Sequence, residues 1–387
     1  MQPFVFHNPT RIIFGEGTVP QIGGEARPYG KKILLVYGRA SIKRSGLYDR
    51  VMASLHEAGL DVIELPGVQP NPVLSHLRKG IALAKEAQVD AVLAVGGGSA
   101  IDTAKGIAAG AATDRDVWPF YCRTATVEAA LPVLAILTLA ATGSEMNGRQ
   151  VVTNEETQEK FGFLSPLLHP RVSILDPTLT YTVPVNYTAY AAVDAISHLL
   201  EGYFTHGDLW TPIQDRYAEG LVKTIMETAE RVLADRSDYQ GRATMMWAAT
   251  LAFNGLGIAG VGDVEFPNHM LEHPLSALYD VPHGAGLSVV IPAWMAFMAR
   301  RNPGRIAHFA DAVLGIRSGD DAAKAEQAAG RLRAWFEKIG SPVSFAQAGI
   351  PAADLERIVD KTVALSKVWK VTRYSRDDIR EMYRLCL

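Results

Sequence analysis

The chain has 387 residues, enough for two domains with separate cores, and an ordinary globular composition of 48% hydrophobic and 20% charged residues. A net charge of −3 and a pI near 6.4 argue against a nucleic-acid-binding surface or a polybasic membrane anchor. The two cysteines, Cys122 and Cys386, are too few for a disulfide framework or a cysteine metal site, so a reduced, cytoplasmic location is expected.

The opening MQPFVFHNP lacks the basic start and apolar run of a signal peptide. The longest apolar stretch, roughly Ala129 to Ala141, contains Pro132 and is too short for a bilayer of about 30 Å. Around the break at Asn8-Pro9, FVFHNPTRIIFG reads as two short strands or a hairpin. Lys32–Tyr37 (KILLVY) then suits a strand buried on both faces, closed by Gly38. Helical spacing from about Leu47 to Ala58 precedes a second strand at Asp61–Leu65. Val73–Ala87 is again helical, with Leu74, Leu77, Ile81 and Leu83 among charges. Ala91–Val95 (AVLAV) is a strand and Ala100–Ala109 a helix. Val133–Leu137 and Val172–Leu175 are further strands, and the polar turn TNEETQEK interrupts Val151–Phe163. Strands alternating with helices imply a parallel sheet covered on both faces.

Composition shifts near Pro184, and no convincing strand follows Asn186. Helices are expected over Tyr187–Phe204, Ile213–Leu233, Gly241–Leu256, Asn268–Leu278, Ala285–Ala299, Asp320–Ile339, Ala352–Leu365 and Asp377–Leu385. The expected division is an α/β domain over residues 1–183, Rossmann-like with a parallel sheet, and an all-helical domain over 184–387.

Between AVLAV and its helix stands Gly96-Gly97-Gly98-Ser99. Without Cβ atoms, backbone N–H groups can approach an anion closely, and the helix adds its positive end. The turn is neither a Walker A loop nor G-x-G-x-x-G. Asp102 and Lys105 on the first turns of that helix could reach a ribose or pyrophosphate. Three glycines also suit a tight turn that needs them for backbone geometry alone. After the strand at Val133–Leu137 comes TLAATGSE, at the carboxyl end where open α/β sheets bind ligands. Hydroxyls of Thr138, Thr142 and Ser144 could bond a cofactor there, or cap a helix.

In the second half, Asp194 and His198 are four apart, on one face of a helix, and His269 and His273 repeat the relation. His283 follows in VPHGAG. Imidazole and carboxylate suit a divalent ion such as zinc or iron(II); histidines hydrogen-bonded in a helical core would show the same spacing.

Taken together, GGGSAIDTAK, TLAATGSE, LDP at Leu175–Pro177, DAISH and the His269–His283 stretch resemble the iron-containing alcohol dehydrogenase family, closest to its NADP(H)-using butanol dehydrogenase and aldehyde reductase branch. The resemblance implies pyrophosphate binding by Gly96, Gly97, Gly98, Ser99 and Asp102. It implies further dinucleotide contacts from Thr138, Thr142, Ser144 and Lys160, the last near the nicotinamide ribose. Asp194, His198, His269 and His283 match the family's metal ligands. His273 matches a residue beside the metal assigned to proton transfer rather than ligation. A homodimer is also implied.

Where NAD-using relatives tend to have an aspartate after the first strand, this chain has Gly38, Arg39 and Ser41, with Lys43 close behind. A guanidinium and a hydroxyl are good phosphate partners, so NADP(H) is the expected cofactor. Ala140 stands where the family commonly has proline. The expected reaction is hydride exchange between NADP(H) and a small aliphatic alcohol or aldehyde of the butanol and butanal type. Fe2+ or Zn2+ would serve as Lewis acid, in a site that three neutral imidazoles and one carboxylate leave formally positive. Asn147, Trp247, Phe253 and Asn254 are candidate pocket walls. A lyase of the dehydroquinate synthase type is the alternative; its phosphorylated, acidic substrate needs a basic pocket, yet VDAISHLLEGYF and VGDVEFPNHMLEHP carry no Lys or Arg.

Overall fold

Runs of consecutive apolar residues build the sheet. A computed structural model describes residues 1–207 and 210–387. Its strands are β1 (Arg11–Phe14), β2 (Lys32–Tyr37), β3 (Asp61–Leu65), β4 (Ala91–Gly96), β5 (Val133–Leu137), β6 (Arg149–Asn154), β7 (Glu159–Leu164) and β8 (Val172–Leu175). Six pair in parallel in the order β1-β8-β5-β4-β2-β3. β2, β4 and β5 are buried from end to end apart from Lys32, as a sheet covered on both faces requires. Ile33, Leu35, Tyr37, Leu93, Val95 and Ile136 line one face and pack on Val19, Ile22, Leu47, Val51 and Leu55.

The helices of this part are α1 (Ile22–Ala26), α2 (Ser41–Arg44), α3 (Leu47–Glu57), α4 (Leu74–Ala87), α5 (Gly98–Ala111) and α6 (Trp118–Tyr121). From β2 the chain crosses to β3 on one side; from β4 it crosses to β5 on the other. The strand order therefore reverses between β2 and β4, and the carboxyl ends at such a reversal are the usual ligand site of open sheets. Those ends are Tyr37-Gly38-Arg39 and Gly96-Gly97-Gly98.

The expected N-terminal hairpin does not form. Phe4, Val5 and Phe6 have no regular structure and are exposed, and only Arg11–Phe14 is a strand, paired in parallel with β8. Asn8 holds the break open: its amide donates to the Met146 carbonyl at 2.8 Å and its Oδ1 accepts from Thr10 N–H at 3.2 Å. The hairpin lies later, where β6 and β7 pair antiparallel around the polar turn.

Beyond Pro184 the described residues are helical: α7 (Val185–Thr205), α8 (Pro212–Ala234), α9 (Tyr239–Ala252), α10 (Pro267–Tyr279), α11 (His283–Ala299), α12 (Gly304–Ala312), α13 (Asp321–Lys338), α14 (Leu355–Trp369) and α15 (Arg376–Arg384). α12 is the helix that patterning missed. It has nine residues and begins on a glycine, yet Ile306, Ala307, Phe309 and Ala310 bury one stripe. α11 is apolar nearly all round, as a central helix should be, and 14 of its 17 residues are buried. No helix among the described residues is long and apolar enough to cross a membrane.

The chain forms two compact units. A sheet unit comprises His7–Val183 with Ser237–Thr250, and a helical unit comprises Met1–Phe6, Pro184–Arg236 and Leu251–Leu387. Most of α9 thus belongs with the sheet, where Thr250 Oγ1 donates to Glu145 Oε1 at 2.5 Å and Trp247 meets Phe14 edge-on at 6.0 Å.

Candidate metal centre and dinucleotide turn

In the sheet unit, β4 runs to Gly96 and α5 begins at Gly98; the N–H groups of Gly98 and Ser99 precede the first helical hydrogen bonds, which Ala100 and Ile101 donate to the Gly97 carbonyl at 3.1 and 3.3 Å. None of Gly96, Gly97 and Gly98 has a positive φ, which removes backbone geometry as the reason for glycine. Packing supplies another reason. A Cβ on Gly98 would lie 2.4 Å from Thr142 Oγ1, one on Gly97 3.2 Å from Leu139 Cβ, and one on Gly96 2.7 Å from Ala100 Cβ. The TLAATG turn therefore rests directly on the glycines. Thr138 N–H donates to the Gly96 carbonyl at 3.0 Å, and Thr142 Oγ1 accepts from Ser144 N–H at 3.2 Å.

Beneath this turn lies a buried polar network. Lys105, fully buried, donates from Nζ to Ser144 Oγ (2.8 Å) and to the carbonyls of Asn147 (2.7 Å) and Arg149 (2.8 Å). These three close acceptors match the three hydrogens of an ammonium, with Asn147 Oδ1 a longer fourth contact at 3.3 Å, although burial pulls Lys105 down to about 8. Ser144 Oγ donates in turn to Asp102 Oδ1 at 2.6 Å, and Val151 N–H donates to Asp102 Oδ2 at 3.0 Å. Burial raises the Asp102 carboxyl, with the Lys105 charge opposing. Of the residues singled out for the dinucleotide, Asp102 and Ser144 are thus bonded to each other and anchor the turn from within. Ser99 donates to the Pro70 carbonyl, and Lys160, buried, donates to Asn71 Oδ1 at 3.2 Å. Gly38 is half-buried and Arg39 and Ser41 are exposed past the carboxyl end of β2. Asn147 serves the same turn rather than lining a pocket: its side chain bonds Gly143 O and Arg149 N–H.

In the helical unit, three helices converge. α7 carries Asp194 and His198, α10 carries His269 and His273 at positions three and seven, and α11 begins at His283. One ligand atom each from Asp194, His198 and His269 lies within 4.8 Å of the others. His198 Nε2 is 3.6 Å and His283 Nε2 is 3.7 Å from Asp194 Oδ1. Asp194, His198, His269 and His273 are buried. His269 Nε2 is buried with no hydrogen-bond partner among the described residues, a costly arrangement that coordination to an ion would satisfy. The donor set of imidazole nitrogens and a carboxylate oxygen suits Fe2+ or Zn2+, so these residues fit a divalent ion. His273 stands at the side, grouped with Glu272 and His283, its ring edge-on to Trp369 at 5.0 Å. Phe253 stacks on His198 at 4.0 Å, a wall of this cluster, while Asn254 caps its own turn by accepting from Leu256 N–H.

Two residues of this site escaped the sequence reading. Glu201 accepts from His269 Nδ1–H and from His269 N–H, each at 2.9 Å, and Glu272 accepts from His283 Nδ1–H. Both are fully buried. Their spacing was a usable signal: Glu201 follows His198 by three and Glu272 follows His269 by three, each on its histidine's face. With them the site has three carboxylates rather than one, which offsets the positive charge expected from the four ligands alone. Glycines make room for this: a Cβ on Gly286 would lie 2.7 Å from Glu272 Cγ, and one on Gly284 would lie 2.1 Å from the Tyr190 carbonyl oxygen.

Comparison with known proteins places the chain in a family. Residues 9–177 match the family model for iron-containing alcohol dehydrogenase, and residues 188–387 match that for the C-terminal part of the Fe-containing alcohol dehydrogenase family. The chain is 43% identical to a probable NADH-dependent butanol dehydrogenase 1 of Bacillus subtilis (strain 168), with all of both chains covered. It is 35% identical to the NADPH-dependent aldehyde reductase YqhD of Escherichia coli (strain K12), over 93% of each chain. The crystal structure of NADH-dependent butanol dehydrogenase A from Thermotoga maritima superposes with a TM-score of 0.96 at 43% identity, covering 100% of this chain and 99% of that one. Matched over residues 9–177 and 188–387, the chain belongs to the iron-containing alcohol dehydrogenase family.

Proposed function

We propose that this chain interconverts small aliphatic alcohols and aldehydes, of the butanol and butanal type, with NADP(H) as hydride carrier and one Fe2+ or Zn2+ at the histidine cluster. The observation that carries the proposal is the convergence of Asp194, His198, His269 and His283 in a unit whose segments VDAISHLLEGYF and VGDVEFPNHMLEHP hold no Lys or Arg. Asp194, His198, His269 and His283 would hold the ion, which when bound supplies a Lewis acid for a carbonyl or alkoxide oxygen. Gly96, Gly97, Gly98, Ser99, Thr138 and Thr142 would receive the dinucleotide, while Asp102 and Ser144 keep their turn in shape and Lys160 lies near the nicotinamide ribose. His273, in this reading, moves the proton to or from the substrate oxygen. Phe253 forms an apolar wall that suits an aliphatic substrate.

The preference for NADP(H) rests on charge. Arg39, Ser41 and Lys43 follow β2 directly, and a 2′-phosphate there would meet cationic and hydroxyl donors. The nearby carboxylate of Glu64 is already engaged: it accepts from Tyr37 (2.5 Å) and Tyr48 (2.8 Å) and pairs with Lys43 at 3.8 Å. Two relatives at 43% identity carry NADH in their names, so NAD(H) is the second reading. Comparing kcat/KM for NADPH and NADH separates the two, and a clear NADH preference overturns ours. The overall proposal is tested with metal-loaded protein, NADPH and butanal, with and without a chelator; the expected result is NADPH oxidation that the chelator abolishes. No chelator-sensitive oxidation across a panel of aldehydes would overturn it. We also propose a cytoplasmic homodimer, which light scattering in solution checks for assembly.

A further inference from the structure

We infer that Glu201 and Glu272 are positioning residues of the metal centre, each aiming one histidine's Nε2 at the ion through the opposite ring nitrogen; this rests on the metal reading above. A carboxylate only accepts hydrogen bonds, so the proton of His269 must be on Nδ1, where Glu201 Oε1 lies 2.9 Å away. The same logic puts the His283 proton on Nδ1, against Glu272. Both rings are thereby fixed in the tautomer that leaves Nε2 free to ligate, and Nε2 of His283 faces Asp194 at 3.7 Å.

Each glutamate is itself held. Asn268 Nδ2 donates to the second oxygen of Glu201 at 3.2 Å, and Ser276 Oγ donates to Glu272. Both glutamates are fully buried. Buried carboxylates are costly unless positive charge reaches them, here through the imidazole rings they accept from. A divalent ion on Nε2 would supply it, because metallation makes Nδ1–H a stronger donor. The helices add a second reason. His269 is the third residue of α10 and His283 the first of α11, so two positive helix ends point at a cation site. Glu201 and Glu272 counter that unfavourable field, Glu201 by accepting the His269 backbone N–H at 2.9 Å.

The test uses full-length protein loaded with Co2+, whose visible spectrum reports ligand geometry independently of turnover. Variants E201A, E201Q, E272A, E272Q and G286A are compared with the parent for Co2+ release to a chromophoric chelator. G286A keeps Glu272 but sets a methyl 2.7 Å from its Cγ, displacing the carboxylate without changing its chemistry. The expected result is metal affinity lower by about 10- to 100-fold in the alanine variants. The Co2+ bands should shift in both alanine variants and in G286A, with partial rescue by glutamine. Release rates within about twofold of the parent, with unchanged Co2+ bands in the folded variants, would overturn the inference; if an alanine variant does not fold, its glutamine counterpart and G286A decide by the same readout. A parent that takes up no Co2+, Fe2+ or Zn2+ overturns the metal reading itself, a result distinct from equal retention by parent and variants.

Discussion

In the proposed reading the glycine turn and the histidine cluster take ligands of opposite charge, and the buried groups beneath them are opposite too. Under the turn lies an ammonium, Lys105, shared among Ser144, Asn147 and Arg149. Under the histidines lie two carboxylates, Glu201 and Glu272. The turn is assembled from neighbours in sequence, β4 running into α5, with the TLAATG segment laid over it. The cluster is assembled from α7, α10 and α11, and a 68-residue separation lies between Glu201 and the histidine it orients. The lesson is that each proposed site is set by what supports it: close packing under the glycine turn, buried charge behind the imidazoles.

The largest break in the comparison should come from the cluster. Stripping the ion with a chelator is expected to cut turnover roughly a thousandfold or more, since a Lewis acid contributes several kcal/mol to such a step. Adding Fe2+ or Zn2+ should restore it, and dinucleotide binding, followed by fluorescence, should survive the stripping. Next is Lys105→Met, which leaves three acceptors without their donor at roughly 1–3 kcal/mol each. Urea unfolding should register a loss of several kcal/mol, with metal content per folded molecule unchanged. Gly98→Ala comes third: its methyl would meet Thr142 Oγ1 at 2.4 Å, and overpacking of this kind costs about 1–3 kcal/mol. The dinucleotide Kd should rise as the turn shifts, whereas Gly24→Ala, with nothing within 4 Å, should be neutral or slightly stabilising.

The smallest effect lies outside both sites. Hydrogen bonds from Arg380, then Arg376, hold the exposed Glu356 carboxyl down at about 2, below its usual 4.5. A depressed carboxyl stabilises the fold above its unfolded value and loses that contribution as pH falls from about 4.5 toward 2. Glu356→Gln should therefore flatten acid unfolding slightly in that window while leaving neutral stability nearly unchanged, because solvent screens the pair.

Much of this was legible in local pattern. A run such as KILLVY can only be a strand buried on both faces, and four-residue spacing puts Asp194 with His198 whatever surrounds them. The GGGS turn and the ligand residues follow from such short-range rules, and several together identified the family. The sequence by itself therefore determined most of the longer elements, the turn and the residues able to ligate an ion. Only the tertiary structure decided what each of them faces. Phe4–Phe6 had strand composition but found no partner, whereas β1 found β8 across more than 150 residues. Asp102 and Ser144, equally able to meet a ribose or each other, bond to each other because β6 and the TLAATG turn close over α5. Glu201 and Glu272 looked like ordinary helical glutamates until α7, α10 and α11 packed and left each with a histidine Nδ1–H to accept. The physical reason is the same throughout: periodicity and propensity act within a turn or two of chain, while hydrogen-bond and charge partners are assigned by the packing of distant faces.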